Sequence, residues 1–326
     1  MQKNFTKLKD KIINSKNILL INHKRMDPDA FWSLEAFYYI LKDNLNKNVK
    51  AINDDPRPDN FAFLDENQIF ETKLDLNKFK PDLIISFDAA STDQLWEFYK
   101  NNKEIFTNTD VIVIDHHITN PWFWDINIID TKASSTCELV YEIIENLNWI
   151  QYITPKIATL INAWMLTDTN MYYNQNTTAK TLETAAKLLK LWSNFRAPIF
   201  EFFKKKSFEK TKLYWIALEK IKKINNWKIV YTSLNKEDFN NSWATDHDTN
   251  WIIDMMINID WVEIAFIVYS LDKWWNKVSF RSKNFNVWEF CEQFGWWWHK
   301  LAAWFSSNDT QENIINKIKE KIDLVN

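Results

Sequence analysis

Acidic and imidazole side chains follow three β-branched runs of the sequence, at the point where each run ends. The run Asn17–Asn22 continues directly into HKRMDPD at 23–29, which supplies one imidazole and two carboxylates. Asp88 ends a second run, and the triplet at 115–117, DHH, ends a third. If these runs are neighbouring parallel strands, their ends meet at one edge of a sheet, where open parallel sheets bind ligands. This density of mixed donors predicts a metal site.

The summed negative charge of these residues is the reason for expecting a cation. Asp168 adds a further carboxylate at the end of a helical segment, and closely spaced carboxylates cannot all ionise unpaired. A single strand-end Asp is commonly a helix cap or turn former, so the prediction depends on the joint pattern. Mixed His and Asp ligands suit Mn²⁺, Fe²⁺, Co²⁺ or Zn²⁺, and the oxygen-rich balance favours manganese. The ligand number predicts two divalent ions, an arrangement that clamps a phosphoryl group and activates water.

A parallel sheet is needed to bring these residues together, and the first half of the chain has the expected pattern. Short β-branched runs alternate with helical patterns, which predicts an α/β domain. The predicted strands are Asn17–Asn22, Val49–Asn53, Asp82–Asp88 and Val111–Asp115. The predicted helices are Ala30–Leu41, Ser134–Leu147, Pro155–Thr167 and Thr178–Leu191.

The pattern changes after residue 191. Pro198, the Lys204–Lys206 run and a charged helix predict a helical connector at 192–224. Strands at Lys228–Leu234, Val262–Leu271 and Lys277–Ser282, with a final helix at Gln311–Val325, predict a second, smaller α/β domain. The expected organisation is a metal-binding catalytic domain at 1–191, the connector, and a substrate-binding domain at 225–326, with a cleft between the two domains.

Glycine and tryptophan usage is inverted in this chain. It has 1 glycine and 19 tryptophans, whereas average usage would give roughly twenty-three glycines. Asn226-Trp227, Asp260-Trp261 and Trp274-Trp275 fall between apolar runs, where Asn-Gly, Asp-Gly and Gly-Gly form hairpin turns. Such turns need positive φ, which glycine adopts without steric cost. We hypothesise that many of these tryptophans are encoded by UGA and are glycine in the source organism.

The composition limits which classes of protein this chain can belong to. The chain is 46% hydrophobic and 25% charged, as in ordinary globular proteins, and its net charge of −3 argues against a protein that coats polyanions. Cys137 and Cys291 lack metal-ligand spacing and indicate a reducing compartment. The polar N-terminus and the lack of an apolar run of about twenty residues predict a cytoplasmic protein without a membrane segment.

The motifs together resemble the DHH phosphoesterase family, named for the triplet that stands here as Asp115-His116-His117. The resemblance covers nearly the whole chain. The segment Phe294–Phe305 resembles the glycine-rich, histidine-ending motif of the DHH-associated C-terminal domain. Family members carry glycine where this chain has Trp32, Trp164 and the three tryptophans at 296–298, in agreement with the UGA hypothesis.

The resemblance implies a role for each candidate residue. Asp88 would bridge two manganese ions, His117 would face the substrate phosphate, and Asp115 would orient the neighbouring imidazoles. Glycines at 296–298 would let backbone N–H groups approach a phosphate. The implied metal ligands are His23, Asp27, Asp29, Asp88, His116 and Asp168. The implied substrate contacts are Arg281, Ser282, Lys283, Gly295, Trp296, Trp297, Trp298 and His299.

The activity that the resemblance implies is in-line attack on a phosphate by a metal-activated water. Compactness of the chain favours short oligoribonucleotides, degraded to mononucleotides, and 3′-phosphoadenosine 5′-phosphate, converted to AMP. The alternatives are a phosphodiesterase for linear dinucleotides, a short single-strand DNA exonuclease and a manganese pyrophosphatase. A different class is a non-catalytic nucleotide-binding module. The expected partners are short oligoribonucleotides or small nucleotides, with no membrane, and the resemblance is compatible with a homodimer.

Overall fold

The structure is a computed structural model that describes residues 4–57, 61–64, 68–121, 124–224, 228–270, 275–292 and 301–322. The chain divides into two compact units, Met1–Lys205 and Lys206–Asn326. The boundary falls inside the segment 192–224 that we predicted as a connector. Each unit contains one β-sheet with helices packed against it.

The first unit is built on a six-stranded sheet in which all neighbouring strands are parallel. Its strands are β1 (Asn17–Asn22), β2 (Asn48–Ile52), β3 (Phe70–Glu71), β4 (Leu83–Phe87), β5 (Asp110–Asp115) and β6 (Ile126–Ile129). The order is β3-β2-β1-β4-β5-β6, so the chain runs outward from β1 and then returns to place β4 beside it. Ligands bind at such a reversal in open parallel sheets. The four strands predicted in this half are confirmed, with ends that agree within one residue.

Helices cover both faces of this sheet, so its strands are apolar throughout. In β1, Ile18 and Leu20 belong to the large core that includes residues of three long helices, whereas Leu19 and Ile21 belong to the core on the opposite face. A strand buried on both faces reads as an unbroken apolar run, as NILLIN does here. The helices are α1 (Phe5–Asn14), α2 (Pro28–Tyr39), α3 (Trp96–Asn101), α4 (Lys103–Asn108), α5 (Thr136–Asn146), α6 (Pro155–Asp168), α7 (Ala179–Lys190) and α8 (Arg196–Pro198). The four predicted helices correspond to α2, α5, α6 and α7, and α2 continues as a π-helical turn at Ile40–Asn44.

The second unit has a five-stranded mixed sheet of order β11-β10-β9-β8-β7, in which β8 and β9 are parallel and the other pairs antiparallel. Its strands are β7 (Lys222–Ile224), β8 (Ile229–Leu234), β9 (Ile264–Ser270), β10 (Asn276–Ser282) and β11 (Ala302–Ser307). Its helices are α9 (Phe208–Glu219), α10 (Lys236–Ser242), α11 (Asn250–Ile257), α12 (Val287–Glu292) and α13 (Gln311–Ile322). Helix α9 lies within the predicted connector, yet Leu213 and Ala217 are buried in the core of this unit. The predicted two-domain α/β class is therefore confirmed.

The turn at Asp260-Trp261 differs from its prediction in one respect. It joins α11 to β9, so it is not a hairpin. Trp261 nevertheless has φ 66°, the left-handed backbone expected at that position. Asn226-Trp227 and Trp274 lie outside the described residues. Among the residues that the structure describes, no helix has the length and apolar character needed to cross a membrane.

Candidate metal centre

The loop between β1 and α2 delivers three of the candidate ligands. Asp27 is the N-cap of α2, where its carboxylate accepts the N–H of Ala30 at 3.0 Å, and Pro28 follows at the first helical position. Asp29 is consequently in the first turn of α2. The Nδ1 of His23 donates to the Lys24 carbonyl at 2.7 Å, which leaves Nε2 as the ligand atom. A short helix-initiating motif thus places all three side chains at the carboxyl end of β1.

Asp88 directly follows β4 and has a left-handed backbone, with φ 56°. This conformation is uncommon for residues other than glycine, although aspartate tolerates it, and it often marks a functional position. The Asp88 N–H donates to the Ile114 carbonyl at 2.9 Å, which ties the turn to β5. The side chain is only 1% exposed. Asp88 is therefore a buried carboxylate held between the ends of two strands.

Asp115 is the last residue of β5 and is fully buried. Its Oδ1 accepts the backbone N–H groups of His116 and His117 at 2.8 and 3.2 Å, and the His117 Nδ1 at 2.7 Å. Its Oδ2 accepts the Asn120 side-chain amide at 2.7 Å. These contacts tie Asp115 to the loop that follows it, so Asp115 holds the His117 imidazole and the His116 backbone in place.

Two groups of candidate ligand atoms share Asp88. In the first, the His23 group, His23 Nε2 lies 3.7 Å from Asp27 Oδ1 and 3.5 Å from Asp88 Oδ2. These separations are longer than good hydrogen bonds. They approach the roughly 3.0–3.4 Å between two ligands that each stand about 2.1 Å from one ion. The His23 group therefore has a spacing that a cation could fill.

The second group, the His116 group, surrounds His116 Nε2. That atom lies 3.7 Å from Asp29 Oδ2, 3.7 Å from Asp88 Oδ1 and 3.9 Å from Asp168 Oδ2. His117 Nδ1 is a further 3.6 Å from Asp88 Oδ1. The two oxygens of Asp88 thus face different groups. The structure brings together the six predicted metal ligands and His117, although Asp29 and Asp168 are separated by 139 positions in the sequence.

Burial and mutual repulsion shift the protonation of this site. Burial, and then the charges of Asp88 and Asp168, hold the pKa of Asp29 well above its usual range. Burial and the charges of Asp88 and Asp27 raise the pKa of Asp168 to about 8. Burial lowers the pKa of His23, but attraction to Asp27 and Asp88 outweighs it and raises that pKa to about 10. The site therefore retains protons that a divalent cation could replace, and its clustered Asp and His donors fit such an ion.

Sequence reasoning missed two polar residues that contact the candidate site residues Asp115 and Asp88. Asn120, 5% exposed, donates to Asp115 and also to the Ala89 carbonyl at 3.3 Å. Thr136, fully buried, donates its hydroxyl to Asp88 Oδ1 at 2.8 Å. The run Ser134-Ser135-Thr136 before an apolar helix is an N-cap signature, and it was the available signal for Thr136.

The predicted substrate contacts belong to the second unit. Arg281 Nε donates to Asp254 Oδ1 at 3.0 Å, and its Nη1 donates to the Phe280 carbonyl at 3.1 Å. The buried Ser282 hydroxyl donates to the Phe285 carbonyl, and Lys283 is exposed. The remaining predicted contacts, Gly295, Trp296, Trp297, Trp298 and His299, lie outside the described residues.

Comparison with known proteins places the first unit in a family. Residues 17–163 match the model of the DHH family, N-terminal domain. The chain carries a DHH family N-terminal domain. The matched segment runs from β1 to within α6 and includes the candidate ligands except Asp168. The expectation drawn from the motif around His116 is therefore confirmed.

Two curated relatives of this chain have related names. It is 31% identical over 176 residues to the bifunctional oligoribonuclease and PAP phosphatase of Bacillus subtilis, a match that covers 53% of this chain and 52% of that protein. The chain thus spans about half the length of that relative. It is 25% identical over 300 residues to a probable bifunctional oligoribonuclease and PAP phosphatase of Streptococcus mutans, covering 91% of each chain.

A solved structure shares the fold over nearly the full length. The crystal structure of an exopolyphosphatase-related protein from Bacteroides fragilis superposes with a TM-score of 0.82 and 20% identity, covering 98% of this chain and 96% of that chain. At this identity the similarity establishes the fold of both units.

Proposed function

We propose that this DHH protein is a two-metal phosphoesterase that hydrolyses short oligoribonucleotides to mononucleotides and 3′-phosphoadenosine 5′-phosphate to AMP. One observation carries the proposal. Asp88 directs Oδ2 toward His23 at 3.5 Å and Oδ1 toward His116 at 3.7 Å, as a carboxylate shared by two ions does. A binding module has no need of two adjacent ligand groups joined by a buried carboxylate. The substrate class comes from the activities for which the two relatives are named.

The two ligand groups would hold the ions. The His23 group supplies His23, Asp27 and Asp88 Oδ2, and the His116 group supplies Asp29, His116, Asp168 and Asp88 Oδ1. Carboxylate-rich sites with imidazole suit Mn²⁺, which we propose as the ion at both positions. When bound, the two ions supply charge neutralisation and an activated water nucleophile.

We propose that His117 acts on the substrate phosphate. The hydrogen bond from its Nδ1 to Asp115 leaves Nε2 as the nitrogen available to a substrate. That bond raises the pKa of His117 to about 9, with burial opposing it. In the metal-free protein the ring is therefore cationic at neutral pH, and its Nε2–H could donate to a phosphate oxygen whose charge grows during the reaction. Asp115 keeps the ring oriented throughout.

The proposal includes substrate contacts from the second unit. The Arg281–Asp254 pair is partly exposed, so the guanidinium can exchange a surface carboxylate for a phosphate at little cost. Lys283 is exposed on the same segment and would add positive charge. From the family resemblance we also propose Ser282 and residues 295–299 as substrate contacts.

The test measures Mn²⁺-dependent release of mononucleotides from an end-labelled diribonucleotide, and of phosphate from 3′-phosphoadenosine 5′-phosphate. We expect Asp88→Asn to lower kcat by about 10³-fold or more, because one neutral amide cannot serve two cations. Asp110→Asn is the matched control. It removes a carboxylate at the opposite end of the neighbouring strand, where Asp110 pairs with Lys11. That variant should keep full activity.

Four results would count against all or part of the proposal. Nucleotide binding without turnover would make the protein a binding module. Hydrolysis of inorganic pyrophosphate alone would indicate a pyrophosphatase, and equal turnover of Asp88→Asn and the parent would remove Asp88 from the chemistry. Preference for short DNA, or for the linear dinucleotides that arise from cyclic dinucleotides, would keep the two-metal chemistry and overturn the substrate assignment.

A further inference from the structure

The first turn of α5 contacts two of the candidate metal ligands directly. The backbone N–H groups of Thr136 and Cys137 donate to Asp29 Oδ2 and Oδ1, at 2.6 and 2.9 Å. The Thr136 hydroxyl donates to Asp88 Oδ1 at 2.8 Å. Both carboxylates are 1% exposed, so these hydrogen bonds replace contacts with water. A single residue, Thr136, therefore fixes Asp29 through its main chain and Asp88 through its side chain.

The hydroxyl contact determines which way Asp88 turns. Asp88 Oδ1 belongs to the His116 group, and Oδ2 belongs to the His23 group. A hydrogen bond on Oδ1 restricts rotation of the carboxylate, which would otherwise alternate between orientations at little cost. It also occupies one lone-pair direction of Oδ1 and leaves the other for a cation. The division of Asp88 between the two groups consequently depends on Thr136.

The first turn of α5 is itself held in place by hydrogen bonds to Glu138 and Ser135. The fully buried Glu138 accepts the Ser134 N–H at 3.1 Å and the Thr181 hydroxyl at 2.9 Å through Oε2. The N-cap, Ser135, accepts the Glu138 N–H at 3.0 Å. Thr181 lies in α7, so a second helix braces the turn that carries Thr136. The Thr136 hydroxyl is thus presented by a rigid backbone, as a positioning group requires.

We propose that Thr136 is a positioning residue that directs Asp88 Oδ1 into the His116 group and thereby sets the affinity of that group for a divalent ion. The inference rests on the proposed two-metal function. Loss of the hydroxyl leaves the carboxylate free to rotate and leaves Oδ1 without its neutral donor. The His116 group then loses part of its affinity, while the His23 group, served by Oδ2, retains its own.

The test measures the binding of Mn²⁺ by two methods, calorimetry and the electron paramagnetic resonance signal of free Mn²⁺. We expect two sites in the parent, and in Thr136→Val an affinity about 10- to 100-fold lower at one of them, the range found when groups that hold metal ligands are removed. Thr136→Ser keeps the hydroxyl and should restore that affinity. In a protein that already carries His116→Ala, Thr136→Val should change the Mn²⁺ affinity of the remaining site, the His23 group, by no more than about twofold.

Thr232→Val is the matched control, because Thr232 is also fully buried and its hydroxyl donates to the Ala217 carbonyl in the second unit. It should leave both Mn²⁺ affinities unchanged. Two parent sites with unchanged affinities in Thr136→Val would overturn the inference and leave the proposed function intact. A parent that binds fewer than two ions would overturn the proposed function as well. If Thr136→Val does not fold, loss of affinity in the folded Thr136→Ser variant would also refute a role for the hydroxyl.

Discussion

Asp115 shows how one buried carboxylate organises this site. It accepts two backbone N–H groups, an imidazole and an amide, and these donors lower its pKa although burial alone raises it. The charge of Asp115 is therefore retained in an interior position because hydrogen bonds replace solvent. The retained charge affects His117, because this one partner is the chief cause of its raised pKa. The protonation of the imidazole is thus controlled by a residue that need not touch the substrate.

Asp115→Asn should lower the pKa of His117 from about 9 toward its ordinary value of 6.5. The amide that replaces the carboxylate carries no charge, so it cannot stabilise the imidazolium. Titration of the imidazole by NMR in metal-free protein measures the shift, with Asp110→Asn as the control. A His117 pKa that stays near 9 in Asp115→Asn would show that other groups hold the proton.

At the scale of elements, three tryptophans occupy backbone positions that suit glycine. Trp192, Trp243 and Trp261 have φ of 65°, 59° and 66°, and each side chain is more than 70% exposed. Trp243 is the left-handed C-cap of α10, the position where glycine ends helices most often. The described backbone therefore extends the UGA hypothesis beyond Trp261 to two positions that composition alone did not single out.

Two buried tryptophans also occupy positions that would suit glycine. Trp32 and Trp164 lie in α2 and α6, with ring centroids 6.5 Å apart. The indole N–H groups of both are buried and have no hydrogen-bond partner among the described residues. Buried Trp N–H groups usually have a partner. Glycine at these positions would remove both orphan donors and let the two helices approach closely.

Trp243→Gly and Trp261→Gly should each raise the free energy of unfolding by about 1 kcal/mol, because a left-handed backbone costs an L-residue roughly that much and costs glycine little. Trp215→Gly is the control of opposite sign. Trp215 is 64% exposed but lies inside α9, where glycine should destabilise by about 1 kcal/mol. Urea unfolding measures all three.

Destabilisation at 243 and 261 would show that these tryptophans belong to the natural protein. The gene and the intact mass of the natively expressed protein give an independent answer. UGA codons together with a mass that fits glycine would establish which residue the organism uses, whereas UGG codons would refute the hypothesis.

At the scale of the whole molecule, the metal site couples stability to pH. Without a cation the folded protein binds protons that the unfolded chain releases, since the pKa of Asp168 is raised to about 8 and that of His23 to about 10. The His23 contribution is fully present below pH 6.5 and is lost as pH rises through 10. The raised pKa of Asp168 has the same sign, so its cost to the folded state grows between pH 3.8 and 8. Metal-free protein should therefore become less stable from about pH 6 to about pH 9.

Added Mn²⁺ should stabilise the protein, and the gain should grow with pH because the ion replaces these protons. At a free concentration of about 100 times Kd, one site contributes about 2.7 kcal/mol. Unfolding in chelator and in Mn²⁺ at several pH values between about 6 and 9 measures both trends. Asp88→Asn should remove most of the Mn²⁺ effect. A gain that is constant or falls with pH would contradict the proton-for-metal exchange.

Local sequence was enough to predict the elements and the side chains at their ends. The apolar run Asn17–Asn22 and the strand-end acids Asp88 and Asp115 depend on short-range patterns, because alternation of strands and helices dictates a parallel sheet whose carboxyl ends meet. The DHH triplet was readable for the same reason. Its chemistry does not depend on distant residues.

Only the tertiary structure decided how those side chains are oriented. The Thr136 hydroxyl meets a carboxylate 48 positions away, and its main chain meets one 107 positions away. The left-handed backbone of Asp88 is joined to β5 through the Ile114 carbonyl, and its side chain faces both the His23 and the His116 groups. Such contacts join residues far apart in the chain, and no local pattern encodes them, because their geometry is set by the packing of helices against the sheet.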